Sequence, residues 1–153
     1  MTALPFLKKK TAAAIPVTLL TGKEFDGWLK KQDTAVKNWV KAAGFKGKAG
    51  SMIALPGKNG SPARVVAALP EKPGLYDIAD FSSRLPKEPG EYFIDAKLST
   101  ERATELALGF ALGSYKFDAY KSKKTGEAPA KLVWPDGADR ALVESTAKAV
   151  FLV

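Results

Sequence analysis

The chain has 153 residues, a formal net charge of +8 and an apolar fraction of 46%, and it contains neither cysteine nor histidine. The absence of both residue types excludes disulfides, Ser-His and Cys-His nucleophiles and the usual zinc sites. Metal sites built from carboxylates alone, and acid–base chemistry by Asp, Glu, Lys or Tyr, stay open, but this composition favours a domain without a reaction centre of its own.

The beginning of the chain combines a basic cluster with an apolar stretch. No apolar run approaches the roughly 20 residues that cross a bilayer, so we expect one soluble domain with no membrane partner, and the absence of cysteine is compatible with a cytoplasmic location. Lysines at residues 8–10 precede the apolar stretch and superficially resemble a secretory signal, but Pro16 interrupts it and no cleavage site follows. We therefore predict a flexible basic lead over residues 1–13 and a first strand over Ile15–Leu20.

Two amphipathic helices are predicted after this strand. Thr21 and Glu24 have the spacing of a capping box, which opens the first helix. Asp33 caps the second helix and Gly44 ends it, since glycine readily adopts the left-handed conformation at a helix C-terminus. The apolar positions that we expect to be buried, because they recur at helical spacing, are Phe25, Trp28 and Leu29 in the first helix and Val36, Trp39, Val40 and Ala43 in the second.

A glycine-rich section over residues 44–62 predicts a loop and a hairpin. We expect strands over residues 50–55 and 63–69, joined by a turn in which Asn59-Gly60 favours a tight geometry. The spacing Gly44-x-x-Gly47-x-x-Gly50 resembles a phosphate-binding loop only superficially. It lacks the Gly-Lys-Ser/Thr ending and opens onto a strand rather than a helix, so a plain connection is the preferred interpretation.

The next elements are a helix over residues 75–85, a strand over residues 91–95 and a long helix that begins at Ser99 or Thr100. Asp77 and Asp80 lie three residues apart on the first of these helices. They could share a metal ion, but two carboxylates without further ligands are too few for a stable metal site, and solvated charges on a helix are much commoner.

The chain closes with a polar loop over residues 121–131, a buried strand over residues 132–134 and a helix that Asp136 caps. This last helix is still apolar at residues 149–153, which we expect of a helix that continues into a further domain. The alternation of strands and helices predicts a three-layer α/β/α sandwich, and the hairpin makes its central sheet mixed rather than purely parallel.

The long helix carries small residues at helical spacing, including Gly109 and Gly113. Glycine inside a helix costs roughly 1 kcal/mol relative to alanine, so two of them indicate that close packing offsets the loss. A core helix is the preferred interpretation, since none of these residues is reactive.

The same helix carries a resemblance to a known family. The run A-L-G-x-x-L-G-x-Y-x-F-x-x-Y-K, the lysine-rich loop after it, the Leu-Val-Trp-Pro strand and the Ala/Val-rich closing helix are similar to the end of the N-terminal domain of leucyl (cytosol) aminopeptidases. Upstream segments at Trp39-Val40, residues 44–47 and residues 55–57 resemble the bacterial branch of that family. The residues that carry the match most clearly are Ala107, Leu108, Gly109, Gly113, Tyr115, Phe117, Tyr120 and Lys121.

The resemblance implies a macrodomain-like domain over residues 14–136 and, over residues 137–153, the start of a linker helix towards a catalytic domain that this chain lacks. In that family the catalytic domain holds two divalent metal ions (manganese or zinc), and the full-length protein is a homo-oligomer, a hexamer. The family's metal-binding signature, N-T-D-A-E-G-R-L, is absent from this sequence, and the acidic segment over residues 136–140 is not a version of it. We therefore predict no catalytic, cofactor-binding or metal-ligating residue in this chain.

Two other functions stay open. Residues 1–65 hold twelve lysines and arginines against three acids, whereas residues 66–153 hold twelve against thirteen. This asymmetry favours an anionic partner, and the alternative function is a nucleic-acid-binding module that uses the basic first half to bind DNA. The turn over residues 55–60 is the candidate loop for a nucleotide-like ligand, by analogy with other sheets of this type.

Overall fold

The computed structural model describes residues 4–86, 90–117 and 130–151. The strands are β1 (Phe6–Leu7), β2 (Ile15–Leu20), β3 (Met52–Pro56), β4 (Pro62–Ala68), β5 (Glu91–Ile94) and β6 (Lys131–Val133). The helices are α1 (Gly22–Lys30), α2 (Thr34–Ala43), α3 (Leu75–Ser83), α4 (Thr100–Phe117) and α5 (Arg140–Phe151). The strands form one sheet in the order β1-β6-β5-β2-β4-β3, in which β3 runs antiparallel to β4 and the other neighbours are parallel.

Different helices cover the two faces of this sheet. Val65 and Ala67 of β4 pack into a cluster with residues of α3 and α4, whereas Val66 and Ala68 pack with residues of α1 and α2. Successive side chains of a strand point to opposite faces, so the helices form two separate layers. The predicted three-layer α/β/α sandwich with a mixed central sheet is confirmed.

The helix ends follow the local signals in the sequence. The carboxylate of Glu24 accepts a hydrogen bond from the backbone N–H of Thr21 at 3.0 Å, and α1 begins at the next residue. The carboxylate of Asp33 accepts one from the N–H of Val36 at 2.9 Å. Gly44 ends α2 in the left-handed conformation with a φ of 74°. The three predicted helix boundaries are therefore confirmed.

The start of the chain differs from the flexible lead that we predict over residues 1–13. Phe6 and Leu7 form an edge strand that pairs in parallel with Leu132 and Val133. The Phe6 ring also stacks on Trp134, with the ring centroids 4.0 Å apart. A strand of two residues shows no periodic pattern of its own, and its partner lies more than 120 residues away, which is why the basic composition dominates the prediction.

The predicted buried stripe of α2 is wrong at Trp39 and Ala43, which are exposed, and right at Val40, which is 1% exposed. Trp39 keeps 45% of its surface in solvent and donates a hydrogen bond from its indole N–H to the backbone carbonyl of Ala54 at 3.2 Å. Ala54 belongs to the edge strand β3. The indole therefore occupies a backbone acceptor at the sheet edge, where unpaired groups would otherwise attract another strand.

The cap of α5 is Asp139 rather than the predicted Asp136. The Asp139 carboxylate accepts a hydrogen bond from the N–H of Leu142 at 3.0 Å. Asp136 lies in a preceding turn, which the N–H of Ala138 closes by donating to the carbonyl of Pro135 at 3.1 Å. Asp136 and Asp139 are both suitable N-cap residues. The turn, in which Gly137 has a φ of 83°, delays the start of the helix until after Asp139.

Tyr92 of β5 has no exposed surface and lies in the core beneath α3 and α4. Its hydroxyl donates a hydrogen bond to the backbone carbonyl of Pro86. Burial raises the pKa of this hydroxyl well above its ordinary value of about 10, because the phenolate would lose its hydration. The side chain therefore stays neutral in the folded protein at alkaline pH.

Replacing Tyr92 by phenylalanine gives a stability loss of about 1–2 kcal/mol at neutral pH, since the Pro86 carbonyl loses its buried donor. At alkaline pH, by contrast, the wild-type protein is the one that loses stability. Above about pH 10 Tyr92 ionises only in the unfolded state, so the free energy of unfolding of the wild-type protein falls by up to about 1.4 kcal/mol per pH unit. Tyr92→Phe lacks this contribution. Urea unfolding of both proteins at about pH 8 and pH 11 measures the effect. Parallel losses in the two proteins would contradict the assignment.

Candidate functional site

The close packing predicted for the glycine-bearing helix is present where α4 meets α3. A Cβ atom built on Gly109 would lie 2.5 Å from Cγ2 and 2.6 Å from Cβ of Ile78. Such distances are far below van der Waals contact, so only glycine allows the two helices to approach this closely. Ala107 on the same helix packs with Trp134 and Val143, which brings α5 against α4. Gly109 and Ala107 of α4 therefore serve helix packing.

The acidic pair on α3 serves the fold as well. The carboxylate of Asp77 accepts a hydrogen bond from the backbone N–H of Gly74 at 2.8 Å. Asp80 forms an ion pair with Arg84, one turn further on, at 2.9 Å. Within residues 4–86, 90–117 and 130–151 there is no group of three or more acidic side chains that could hold a metal ion. The arrangement gives no support to a metal shared by these two aspartates.

The three evenly spaced glycines owe their spacing to backbone conformation. Gly44, Gly47 and Gly50 all have positive φ angles, of 74°, 74° and 90°. Gly47 also lies directly against Phe25, and the N–H of Gly50 donates to the carbonyl of Ala68 at 2.9 Å. The N–H of Gly50 is thus bonded to the sheet, and Gly47 is packed against the core. This agrees with the interpretation of a plain connection.

The sheet has a topological switch point, where ligands of open α/β sheets commonly bind. After β2, the chain forms β3 and β4 on one side of β2 and then β5 on its other side. A crevice of about 150 Å³ lies at the carboxyl end of β2, between Leu20, Leu69 and Ala96. Ligand pockets are typically about 300–1,000 Å³, so this crevice is small for a nucleotide.

The charged groups of this crevice already have partners. Glu24 bonds to the backbone of Thr21, and the guanidinium of Arg102 lies 3.6 Å from the carboxylate of Glu105. The candidate loop over residues 55–60 is the β3–β4 turn at the amino end of β4, whereas the crevice lies at the carboxyl end of the neighbouring strand. The structure therefore separates the loop from the crevice, and neither supports a nucleotide site.

A larger cavity of about 550 Å³ lies between α1 and α2. Its floor is formed by apolar side chains, among them Phe25, Leu29 and Val40, and its rim by lysines. Helical periodicity could identify the apolar side chains, but the distance between the two helices depends on the tertiary fold. This cavity is the feature of the described residues that sequence reasoning missed.

The described residues thus form an α/β/α domain whose candidate acids and glycines serve packing and capping. The family described as "M17 aminopeptidase, N-terminal domain" matches residues 15–135, and the chain belongs to this family. Among similar proteins, a probable cytosol aminopeptidase from Xanthobacter autotrophicus is 35% identical over 120 residues, which cover 70% of this chain and 24% of the relative.

A solved structure agrees with this assignment. The 1.8 Å crystal structure of the cytosol aminopeptidase from Coxiella burnetii matches 96% of this chain with a TM-score of 0.79 and 32% sequence identity. The match covers 32% of that chain, so the present chain spans about a third of the solved relative and about a quarter of the Xanthobacter one. The resemblance to the aminopeptidase N-terminal domain is confirmed.

Two of the residues that carry the resemblance, Tyr120 and Lys121, lie outside the described residues, as does most of the predicted polar loop over residues 121–131. Neither relative is named as a nucleic-acid-binding protein, and the comparisons give that alternative no support. In the part of the chain that the structure describes, no helix is both long and apolar enough to span a bilayer.

Proposed function

We propose that this chain is the non-catalytic N-terminal domain of a two-metal leucyl aminopeptidase, an enzyme that releases N-terminal amino acids from peptides. The observation that carries the proposal is the family match over residues 15–135, together with relatives named cytosol aminopeptidases that are three to four times longer than the matched part. The chain's own task is to fold independently and to be attached to the catalytic domain.

The metal ions belong to that catalytic domain rather than to this chain. Two divalent ions bound there, manganese or zinc, would activate a water molecule and stabilise developing negative charge on the peptide carbonyl oxygen. The residues described here do not fit such a centre, because the sequence has neither histidine nor cysteine and the described acids form no metal-binding group. Asp77 bonds to Gly74, just before α3, and Asp80 pairs with Arg84, just after it.

The proposal also concerns domain organisation. Residues 14–136 constitute the domain, and residues 137–153 begin the helix that leads towards the catalytic domain. Val143 and Ala147 of α5 are fully buried, and Val143 packs with Ala107 of α4, which supports a connecting helix held firmly on the domain. The full-length protein is a cytoplasmic homo-oligomer, a hexamer, in which this domain accompanies each catalytic domain.

An activity assay tests the proposal. We expect the purified 153-residue chain to leave leucine p-nitroanilide intact in the presence of manganese or zinc, because it holds no metal centre. We expect the protein produced from a reading frame that continues beyond Val153 to contain N-T-D-A-E-G-R-L and to hydrolyse this substrate in a metal-dependent manner.

The control addresses contaminating host aminopeptidases. Any hydrolysis by the short chain is compared with that of a variant carrying Asp77→Asn and Asp80→Asn, purified in the same way. Equal residual rates identify a contaminant. Metal-dependent hydrolysis that disappears in the variant would show that the α3 carboxylates do hold a metal, and the non-catalytic assignment would be wrong.

A further inference from the structure

The cavity between α1 and α2 has an apolar floor. Phe25 of α1, Val40 of α2 and Phe45 beyond α2 are 8%, 1% and 7% exposed, and half-buried Leu29 completes the lining. Phe25 and Phe45 meet edge to face, with ring centroids 5.5 Å apart, which fixes the shape of the floor. We call this cavity the α1–α2 groove. Its lining offers large apolar side chains of a ligand a preformed surface.

The rim of the α1–α2 groove is basic. Lys30, Lys37, Lys41 and Lys46 line it, against the single acid Asp26. The ion pairs within the described residues include none of these four lysines, although Lys23 on the same helix as Lys30 pairs with Glu71 at 2.7 Å. The rim therefore presents a local excess of positive charge that the fold itself does not neutralise.

We propose that the α1–α2 groove binds an acidic peptide segment of a partner protein, with one or two large apolar side chains on the floor and carboxylates opposite the rim. A volume of about 550 Å³ accommodates such side chains. Charge complementarity selects an anionic partner. The apolar floor favours a peptide over a duplex nucleic acid, whose affinity rests chiefly on phosphate contacts.

Fluorescence anisotropy with a labelled peptide tests the proposal. The probe is a peptide of roughly twelve residues in which Phe and Leu stand four apart among glutamates, so that both side chains share one face of a helix. A second peptide carries serine in place of Phe and Leu and keeps every charge. At about 0.15 M ionic strength we expect the first peptide to bind at least about tenfold more tightly than the second.

Charge-reversal variants locate the site. The double variant Lys37→Glu and Lys41→Glu removes half of the rim, and we expect it to weaken peptide binding about tenfold or more. Its control is the double variant Lys58→Glu and Lys72→Glu, which changes the net charge equally at exposed positions outside the groove. We expect the control to weaken binding less than about twofold. All four lysines are exposed, so we expect both variants to fold.

A floor variant separates the apolar contribution from the electrostatic one. We expect Leu29→Ala to weaken binding of the first peptide about fivefold and to leave the serine peptide unaffected. Three results would overturn the proposal: equal binding of the two peptides, equal losses in the two double variants, or a short duplex DNA that displaces the peptide and binds Leu29→Ala as tightly as the unaltered chain.

Discussion

Replacing Gly47 by alanine lowers the free energy of unfolding by about 3–4 kcal/mol, whereas the same change at Gly44 lowers it by about 1 kcal/mol. Both glycines have a φ of 74°, so both variants place alanine in the left-handed region, which disfavours a side chain. They differ in their surroundings: nothing lies within 4 Å of a Cβ atom at Gly44, but a Cβ atom at Gly47 would lie 2.6 Å from Cβ and 2.7 Å from Cγ of Phe25.

The additional loss at Gly47 comes from Phe25, which cannot move aside without cost. Phe25 is 8% exposed, and its ring contacts those of Trp28 and Phe45 at 6.2 and 5.5 Å between centroids. Displacing it disturbs the whole cluster beneath α1 and α2. The measurement is urea unfolding of the two variants beside the unaltered chain. Equal losses would show that the ring adapts freely, and the argument from Phe25 would then fail.

The loop that contains Gly47 shows how far glycine spacing alone predicts function. The spacing of Gly44, Gly47 and Gly50 resembles a phosphate loop only superficially, and a positive φ at each position explains the three glycines. Regular spacing in sequence therefore did not reflect a shared function. The missing Gly-Lys-Ser/Thr ending was the informative signal, because it concerns the chemistry of a phosphate site rather than its flexibility.

Elements that local signals specify were predicted closely. The capping box at Thr21 and Glu24, the cap at Asp33 and the left-handed Gly44 all act within one helical turn, so a single stretch of sequence contains the whole cause. The hairpin turn at Gly60, with a φ of 82°, is of the same kind. Since these signals also give the order of strands and helices, the three-layer sandwich followed from them.

Features that depend on distant partners were not predicted. The strand at Phe6 exists because Leu132 pairs with it, and Trp39 remains exposed because it meets the carbonyl of Ala54 at the sheet edge. Helical periodicity placed Trp39 in the core, since it records which side chains share a face and not where the layer ends. For the candidate site, the absence of histidine and cysteine excluded the common nucleophiles and zinc sites. The lysines of the α1–α2 groove, however, cannot be distinguished in the sequence from lysines that are simply solvated.

The second large effect concerns the helix that carries the family resemblance. We expect Gly109→Ala to lower the free energy of unfolding by about 2–3 kcal/mol, although alanine is the better helix former by about 1 kcal/mol. The matched variant Gly27→Ala, in the middle of α1, should instead raise it by up to about 1 kcal/mol. Nothing lies within 4 Å of a Cβ atom at Gly27, so only the helix propensity changes there.

The opposite signs follow from Ile78. This side chain is 1% exposed, and its Cγ2 and Cβ atoms occupy the place of the new methyl group at distances of 2.5 and 2.6 Å, with the carbonyl of Leu75 at 3.4 Å. Because Ile78 lies on α3, relief of the overlap requires α3 and α4 to separate, which loosens the core between them. A stabilised Gly109→Ala variant would contradict this view.

A double-mutant cycle identifies the cause independently of the absolute losses. Ile78→Ala alone leaves a cavity and costs about 2–4 kcal/mol. In combination with Gly109→Ala, the overlap with Cγ2 disappears and only the Cβ atom, which alanine keeps at position 78, still meets the new methyl group, so the two losses are less than additive by about 1 kcal/mol. Strict additivity would mean that the overlap with the Cγ2 atom of Ile78 is not what destabilises Gly109→Ala. A favourable coupling would show that glycine is present in α4 because α3 lies against it.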